Sequence, residues 1–198
     1  MNMKKKTIIW IVVAVVILGS FAWVKNVYNK LVSADEIAQS MWSQVENVYQ
    51  RRADLIPNLV ATVKGYAAHE SETLESVVAA RAKATQVTVD PSNLTAESVA
   101  KFNEAQGELS TALGRLLLIQ ENYPDLKANE NFRDLQAQLE GTENRIATER
   151  MKFNQAVKDY NTNIRRFPAN IIASAFGFEK KGYFEAQAGA ETAPKVEF

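Results

Sequence analysis

Cysteine is absent from all 198 residues. That excludes disulfides, thiolate metal sites and a cysteine nucleophile, and it leaves the chain at home outside the cytoplasm. An excess of positive charge is also absent. The 23 Lys+Arg and 23 Asp+Glu give a formal net charge of zero. A surface that binds phosphate backbones needs a basic excess, so no nucleic-acid partner is expected. Histidine occurs once, as His69 next to Glu70; a lone helical histidine is read as solvated or packed, not as a metal ligand. No Glu-x-x-His, H-E-x-x-H, G-x-S-x-G, phosphate-loop or G-x-G-x-x-G pattern occurs, so no catalytic residue, metal or cofactor is expected. Glycine and proline are sparse, 8 and 5 residues. With so few turn formers, the composition favours helices over a many-turned β fold.

What is present begins with a long apolar run. Lys4, Lys5 and Lys6 precede Thr7–Val24, eighteen residues without a charge. As a helix this run is about 27 Å long, close to the ~30 Å hydrocarbon core of a bilayer. Trp10 near one end, and Trp23 and Tyr28 near the other, match the preference of amphipathic aromatics for the membrane interface. Residues 7–24 therefore read as a transmembrane helix in contact with lipid. Lysines are concentrated before the run, which keeps residues 1–6 in the cytoplasm and sends the rest across. The rival reading is a cleaved signal peptide, with Ser20-Phe21-Ala22 as a small-x-small site.

Beyond the apolar run the pattern is helical. Ser33 and Glu36 have capping-box spacing, so a helix restarts at Ser33 or the membrane helix runs straight on. Ile37, Met41, Val45 and Val48, then Leu55, Leu59, Val63 and Tyr66, keep helical spacing. Asp90-Pro91-Ser92-Asn93 is turn chemistry, and Thr95 is a candidate N-cap for a helix to about Glu121. Pro124 breaks the next connection, with Asn129 or Asn131 as the following cap. Phe132, Leu139, Ile146, Phe153, Tyr160 and Phe167 are then each seven apart, the mark of a packed seam. The companion positions include Thr142, Glu149 and Asn163, and these polar residues favour an intramolecular bundle over a two-stranded coiled coil.

The stretch "QRRADLIPNLV" interrupts this regularity. With Asp54 as N-cap, Pro57 falls in a first turn, where its missing N–H costs nothing. Arg51 and Arg52 then sit at the negative end of the preceding helix. A corner between two helices is the favoured reading, and a kinked continuous helix or an ion-pair site are the alternatives.

Three further features stand out. Glu140, Glu143 and Glu149 with Arg145 and Arg150 form the densest charged cluster, read as a solvated face laced by i,i+3 and i,i+4 pairs. Asn154 and Asn161 place two amides beside the seam, read as interhelical hydrogen-bonding groups or as one side of a polar ligand groove. Gly65, Gly107, Gly114 and Gly141 lie in helical stretches, where close helix approach would offset their low propensity.

Three segments carry a resemblance. They are "MWSQVENVYQRRADLIPNLVATVKGYAAHE", "ENYPDLKANENFRDLQAQLEGTENRIATERMKFNQAVKDYNTNIRRFP", and "GYFEA" with a terminal "APKVEF". Together they resemble the LemA family of bacterial membrane proteins over nearly the whole chain. The motif positions are Arg51, Arg52, Asp54, Pro57, Asn58, Tyr123, Pro124, Asn129 and Phe132, then Glu143, Asn144, Arg145, Asn154, Tyr160, Asn161 and Pro168. The resemblance implies an N-terminal membrane helix, an extended antiparallel helical bundle and no known enzymatic activity.

The expected protein is all-α: a transmembrane helix, then a bundle of three to four long helices over 25–177, with a kink or corner near Pro57. Residues 178–198 are expected to form a mobile tail. The expected role is that of a non-enzymatic scaffold in the cell envelope, single-pass in the bacterial cytoplasmic membrane with its main domain outside. Its partners would be envelope or membrane proteins, or further copies of itself as a homo-oligomer. The alternative is a helical module that binds a small molecule or lipid along Asn154, Asn161 and Tyr160.

Overall fold

The computed structural model describes residues 2–185, with side chains from Lys6 onward. It contains six α-helices: α1 (Asn2–Tyr66), α2 (Ser71–Gln86), α3 (Ala96–Leu118), α4 (Pro124–Ala128), α5 (Glu130–Arg165) and α6 (Ala169–Ala175). A 3-10 turn, Ile119–Asn122, joins α3 to α4. No strand occurs among the described residues.

The 65 residues of α1 make a helix about 98 Å long. It does not restart at Ser33. Between Gly19 and Pro57 the chain has neither glycine nor proline, so nothing interrupts the hydrogen-bond ladder where the apolar run meets the bundle. Residues from Ile8 to Phe21 are exposed along that run. Among the described residues, α1 is the one helix long and apolar enough to cross a membrane, and its most apolar stretch is not buried against the rest of the protein.

Nor does the chain turn a corner at Pro57, which lies inside α1. An interior proline leaves the carbonyl four residues earlier without its N–H partner. Here that carbonyl belongs to Ala53, which is buried. Arg81 of α2 supplies the missing donor, its Nε lying 2.8 Å from the Ala53 oxygen. The guanidinium thus repairs the ladder from a neighbouring helix. The first-turn geometry that Asp54 suggested is not formed; Asp54 is exposed and accepts from Gln50 Nε2 at 2.7 Å.

The bundle runs up, down, up and down along α1, α2, α3 and α5. Its core is layered. Farthest from the apolar run, Ile56, Leu59 and Val63 of α1 meet Leu74 and Val77 of α2, Leu109, Leu113 and Leu116 of α3, and Phe132 and Leu139 of α5. Below them, Trp42, Val45 and Tyr49 meet Phe102, Ile146, Phe153 and Val157. Nearest the membrane run, Leu31 meets Tyr160, Ile164 and Ala173 of α6. Rising numbers on α1 match falling numbers on α5, so the two are antiparallel.

On α5 the seven-residue seam is real from Phe132 to Tyr160, all buried. It stops one interval earlier than its spacing suggested. Phe167 lies beyond the helix end and is 81% exposed. Asn129 caps α5, accepting from Phe132 N–H at 2.8 Å, and Thr95 caps α3, accepting from Ser98 N–H at 3.1 Å. A Cβ at Gly65, Gly114 or Gly141 would meet nothing within 4 Å, so close helix approach does not explain these glycines. Gly177 does need its residue type: φ is +73°, and it reverses the chain after α6 so that Phe178 N–H donates to Ala173 O at 2.9 Å.

The described part of the C-terminal segment is not loose. Residues 178–185 lie against the bundle as an extended strap. The mobile-tail expectation fails for these eight residues; 186–198 fall outside the described residues.

The Pro57–Arg81 arrangement is testable by a double-mutant cycle. Arg81→Leu should cost about 1–3 kcal/mol, because it strands the buried Ala53 carbonyl. In a Pro57→Ala background the same change should cost much less, because residue 57 regains its N–H. Chemical denaturation of the four proteins reads the coupling.

Candidate functional site

Two polar assemblies organise the bundle. The first centres on Arg52, whose residue is 1% exposed. It lies on α1 between the two upper apolar layers, three residues after Tyr49 and four before Ile56. Its Nη1 donates to Ser110 Oγ at 2.8 Å and to Glu143 Oε1 at 2.9 Å. Its Nη2 donates to the backbone carbonyl of Gln106 at 3.2 Å and to the Gln106 side-chain oxygen. The Tyr49 ring lies 5.0 Å beneath the guanidinium carbon. Gln106 in turn donates from Nε2 to Ala84 O at 3.3 Å. One arginine therefore joins α1, α3 and α5 directly and reaches α2 through Gln106. It is not a solvated charge at a helix end, as the corner reading had placed it. Burial pushes the Tyr49 hydroxyl pKa up, against the opposing pull of Arg150 and Arg52.

The second assembly is the strap. Asn161 holds both backbone polar groups of Lys181: Lys181 N–H donates to Oδ1 at 3.0 Å, and Nδ2 donates to Lys181 O at 2.9 Å. Asn154 does the same for Phe184, at 2.9 Å for each bond. The spacing explains the fit. Seven residues of helix rise about 10.5 Å, and three residues of extended chain span about 10 Å. Two asparagines seven apart on α5 therefore meet two peptide units three apart on an antiparallel strap.

Side chains lock the same register. Phe184 stacks on Trp42 with centroids 5.6 Å apart and planes at 11°, and it meets Phe153 edge-on at 5.5 Å. The Arg150 guanidinium covers its ring at 4.7 Å and donates to Glu185 O at 3.1 Å. Lys181 is buried, which a lysine tolerates when paired; its Nζ meets Asp35 of α1 at 2.7 Å and lies 5.2 Å from the Tyr160 ring centre. Gly182 N–H donates to Leu94 O at 2.8 Å. A Cβ there would lie 2.6 Å from Ala96 Cα, so only glycine lets the strap approach this closely. Tyr160 OH donates to Glu179 O at 2.9 Å. Burial first, then the charges of Asp35 and Glu179, push its pKa up to about 12.

The remaining motif residues separate into two groups. At the far end, Tyr123 OH donates to Glu70 Oε1 at 3.2 Å and Asn129 Nδ2 donates to Tyr66 OH at 2.9 Å, closing the α1–α2 and α4–α5 junctions together. Pro124 opens α4 at its first turn. Arg51, Pro57, Asn58, Asn144, Arg145 and Pro168 face solvent. Of the charged residues read as a solvated face, Glu143 turns to Arg52 and Arg150 to the strap, while Glu149 forms an i,i+3 pair with Lys152 at 2.9 Å. Trp10 and Trp23 are exposed on α1, while Tyr28 packs on Phe176 at 4.9 Å. No group of three metal-ligating side chains occurs among the described residues. A solvent-open groove of about 630 Å³ runs between α3 and the strap, past Asn103, Gly107, Thr111 and Tyr183. Asn154 and Asn161 do not line it, since the strap holds both amides.

Sequence reasoning missed Trp42, Arg81, Gln106, Lys181, Gly182 and Phe184 as working residues. A basic residue amid the alanines of α2, and aromatic "GYFEA" in a polar tail, were the available signals.

Residues 41–198 match the LemA family. The protein belongs to the LemA family. Curated relatives of this LemA-family chain agree in extent. It is 28% identical over 182 residues to Magnetosome protein MamQ 2 of Paramagnetospirillum magneticum, covering 83% of this chain and 67% of that one. It is 27% identical over 202 residues to Magnetosome protein MamQ of Magnetospirillum gryphiswaldense, covering 92% and 74%. It is 23% identical over 158 residues to Protein LemA of Metamycoplasma hominis, covering 80% and 68%. The family match begins at Met41 and so takes in the Arg52 assembly and the strap, while the apolar run of α1 lies before it. This LemA-family chain is a membrane-associated helical protein with, among the described residues, one candidate span near the N-terminus.

Two predictions follow from the strap. Gly182→Ala should force it off Ala96, and Asn161→Ala should strand the Lys181 peptide groups at about 1–3 kcal/mol. In both variants, amide exchange should accelerate over 178–185 before it does in the α1–α5 core. The Tyr160 proton supplies the second. Its folded-state pKa lies above the ordinary 10.0, so the folded state holds the proton after the unfolded chain has released it. The stabilisation is full below about pH 10 and is lost as pH rises toward 12. Thermal melts across that window should fall, and Tyr160→Phe should flatten the fall.

Proposed function

We propose that this protein is a non-enzymatic scaffold of the bacterial cell envelope. In this reading residues 7–24 cross the cytoplasmic membrane, the N-terminus stays in the cytoplasm, and the bundle stands on the outer side. It binds envelope or membrane proteins, or further copies of itself. The observation that carries the reading is that α1 is both the apolar run and the first bundle helix. From Val24 to Tyr66 that single helix rises about 63 Å. A docking surface held at fixed height and orientation is what such a rod supplies, with no flexible linker to blur it. The use of polar residues supports the same reading. Arg52, Asn154, Tyr160 and Asn161 are bonded to the protein's own side chains and backbone, an arrangement that sets shape and leaves no group poised on a reacting atom. The same bonds withdraw the amides that a ligand-binding groove along α5 would have used.

The test combines side and partner. Single cysteines at Lys6 and Asp134, in a chain that otherwise has none, are treated with a membrane-impermeant thiol reagent in cells whose outer layer is permeable. Asp134→Cys should label and Lys6→Cys should not. Photo-crosslinkers on exposed faces of α2, α3 and α5 of the full chain should then capture discrete envelope proteins or a second copy. A monomer that captures nothing at any position overturns the scaffold.

A further inference from the structure

The end of the bundle nearest the apolar run has a feature that packing does not explain. Phe167, Ile171 and Phe176 are 81%, 57% and 56% exposed, all within ten residues around α6. Ile171 and Ala175, four apart on α6, lie on one helix stripe, and both are exposed, as is Phe167 in the turn just before the helix. The opposite side, Ile172 and Ala173, is buried. The short helix thus turns one apolar face to the core and another outward.

Its position is set by α1. Phe176 packs on Tyr28 at 4.9 Å and Phe178 on Tyr28 at 5.7 Å, while Ala173 joins Leu31 in the lowest core layer. The charge-free run ends at Val24. Tyr28 and Leu31 lie about 6 and 10 Å beyond it along a helix rising 1.5 Å per residue. The polar layer on each side of a bilayer is about 5–8 Å thick, and a helix with its side chains is about 10 Å across. With Thr7–Val24 in the hydrocarbon, α6 has no room to stand clear of the headgroups. Charge agrees with this placement. Arg165, Arg166 and Lys180 border one shallow groove between the end of α5 and the strap, and Lys25 and Lys30 are exposed on the turns of α1 around Tyr28; the acidic residues there are Glu179 and Asp35, and Asp35 is paired with the buried Lys181.

We propose that α6 with Phe167 and Phe176 is a membrane-surface foot. Its outward apolar face enters the headgroup layer of the bilayer that α1 crosses, and the surrounding arginines and lysines meet lipid phosphates. An apolar face rimmed by basic side chains is the pattern of helices that lie in the interface. The foot gives the rod a second, off-axis contact, which fixes its tilt and its rotation about the membrane normal. The proposal rests on reading α1 as the anchor, and the test separates the two.

Nitroxide labels are placed on the full chain, one at a time, at Val13→Cys, Ile171→Cys, Phe176→Cys and Asp134→Cys, and the protein is reconstituted in phosphatidylcholine–phosphatidylglycerol vesicles. Collision with oxygen, which concentrates in hydrocarbon, is compared with collision with an aqueous nickel chelate. The expected result is an oxygen preference at Val13, a weaker oxygen preference at Ile171 and Phe176, and a nickel preference at Asp134. If Ile171 and Phe176 behave like Asp134 while Val13 keeps its oxygen preference, the anchor stands and the foot is wrong. If they are shielded from both reagents, a protein covers the patch and the foot is again wrong. If Val13 also prefers nickel, the anchor reading fails together with the foot. Val13, Ile171 and Asp134 are exposed and belong to no core layer, so Ile171 decides the outcome if Phe176→Cys, which removes the contact with Tyr28, shifts α6.

Discussion

A guanidinium cannot be left in an apolar core without acceptors; the cost of an unpaired buried charge is several kcal/mol. Arg52 therefore dictates what must surround it. Gln106 and Ser110 have to come from α3 and Glu143 from α5, all at the height of one turn of α1. A slip of any helix by one turn, about 5.4 Å, would remove an acceptor. Apolar layers alone tolerate such slips better, because leucine packs on leucine at many offsets. The arginine turns a bundle of interchangeable layers into one with a single alignment, and the other polar contacts depend on that alignment. Asn154 and Asn161 can reach the strap because α5 sits where Glu143 has placed it.

The second constraint is the continuity of α1. A proline in the middle of a rod is a weak point, and the protein keeps it by borrowing a donor from α2. The pairing also ties α2 to α1 at the place where α1 would otherwise bend. The helix therefore runs unbroken from the apolar run to the Tyr66–Asn129 junction at the far end.

Much of the fold was legible in the sequence, and the failures share a cause. The apolar run, the caps at Thr95 and Asn129 and the α5 seam are local signals, set by spacing within one helix. The Pro57 corner was wrong because the residue that rescues the helix, Arg81, lies 24 positions later. Arg52 looked like a helix-end charge for the same reason; its partners are 54 to 91 residues away. Asn154 and Asn161 were recognised as a matched pair, but their partner is extended chain, and extended chain leaves no period in a short tail. Composition made 178–185 look loose because Lys180, Lys181 and Gly182 are surface residue types, and nothing local reveals that Asp35 neutralises one and Ala96 requires another.

The match between seven helical and three extended residues sets how far the strap can go. Seven positions before Asn154, the next rung on α5 would be Ala147; seven positions after Asn161, α5 has already ended and the residue is Pro168. Neither carries a side-chain amide, and neither can grip both backbone groups of one residue. The ladder thus has two rungs and no more, and a chain sliding along it in either direction would leave one rung empty at once. The register of the last described segment is written into the residues that are missing from α5 as much as into the two that are there.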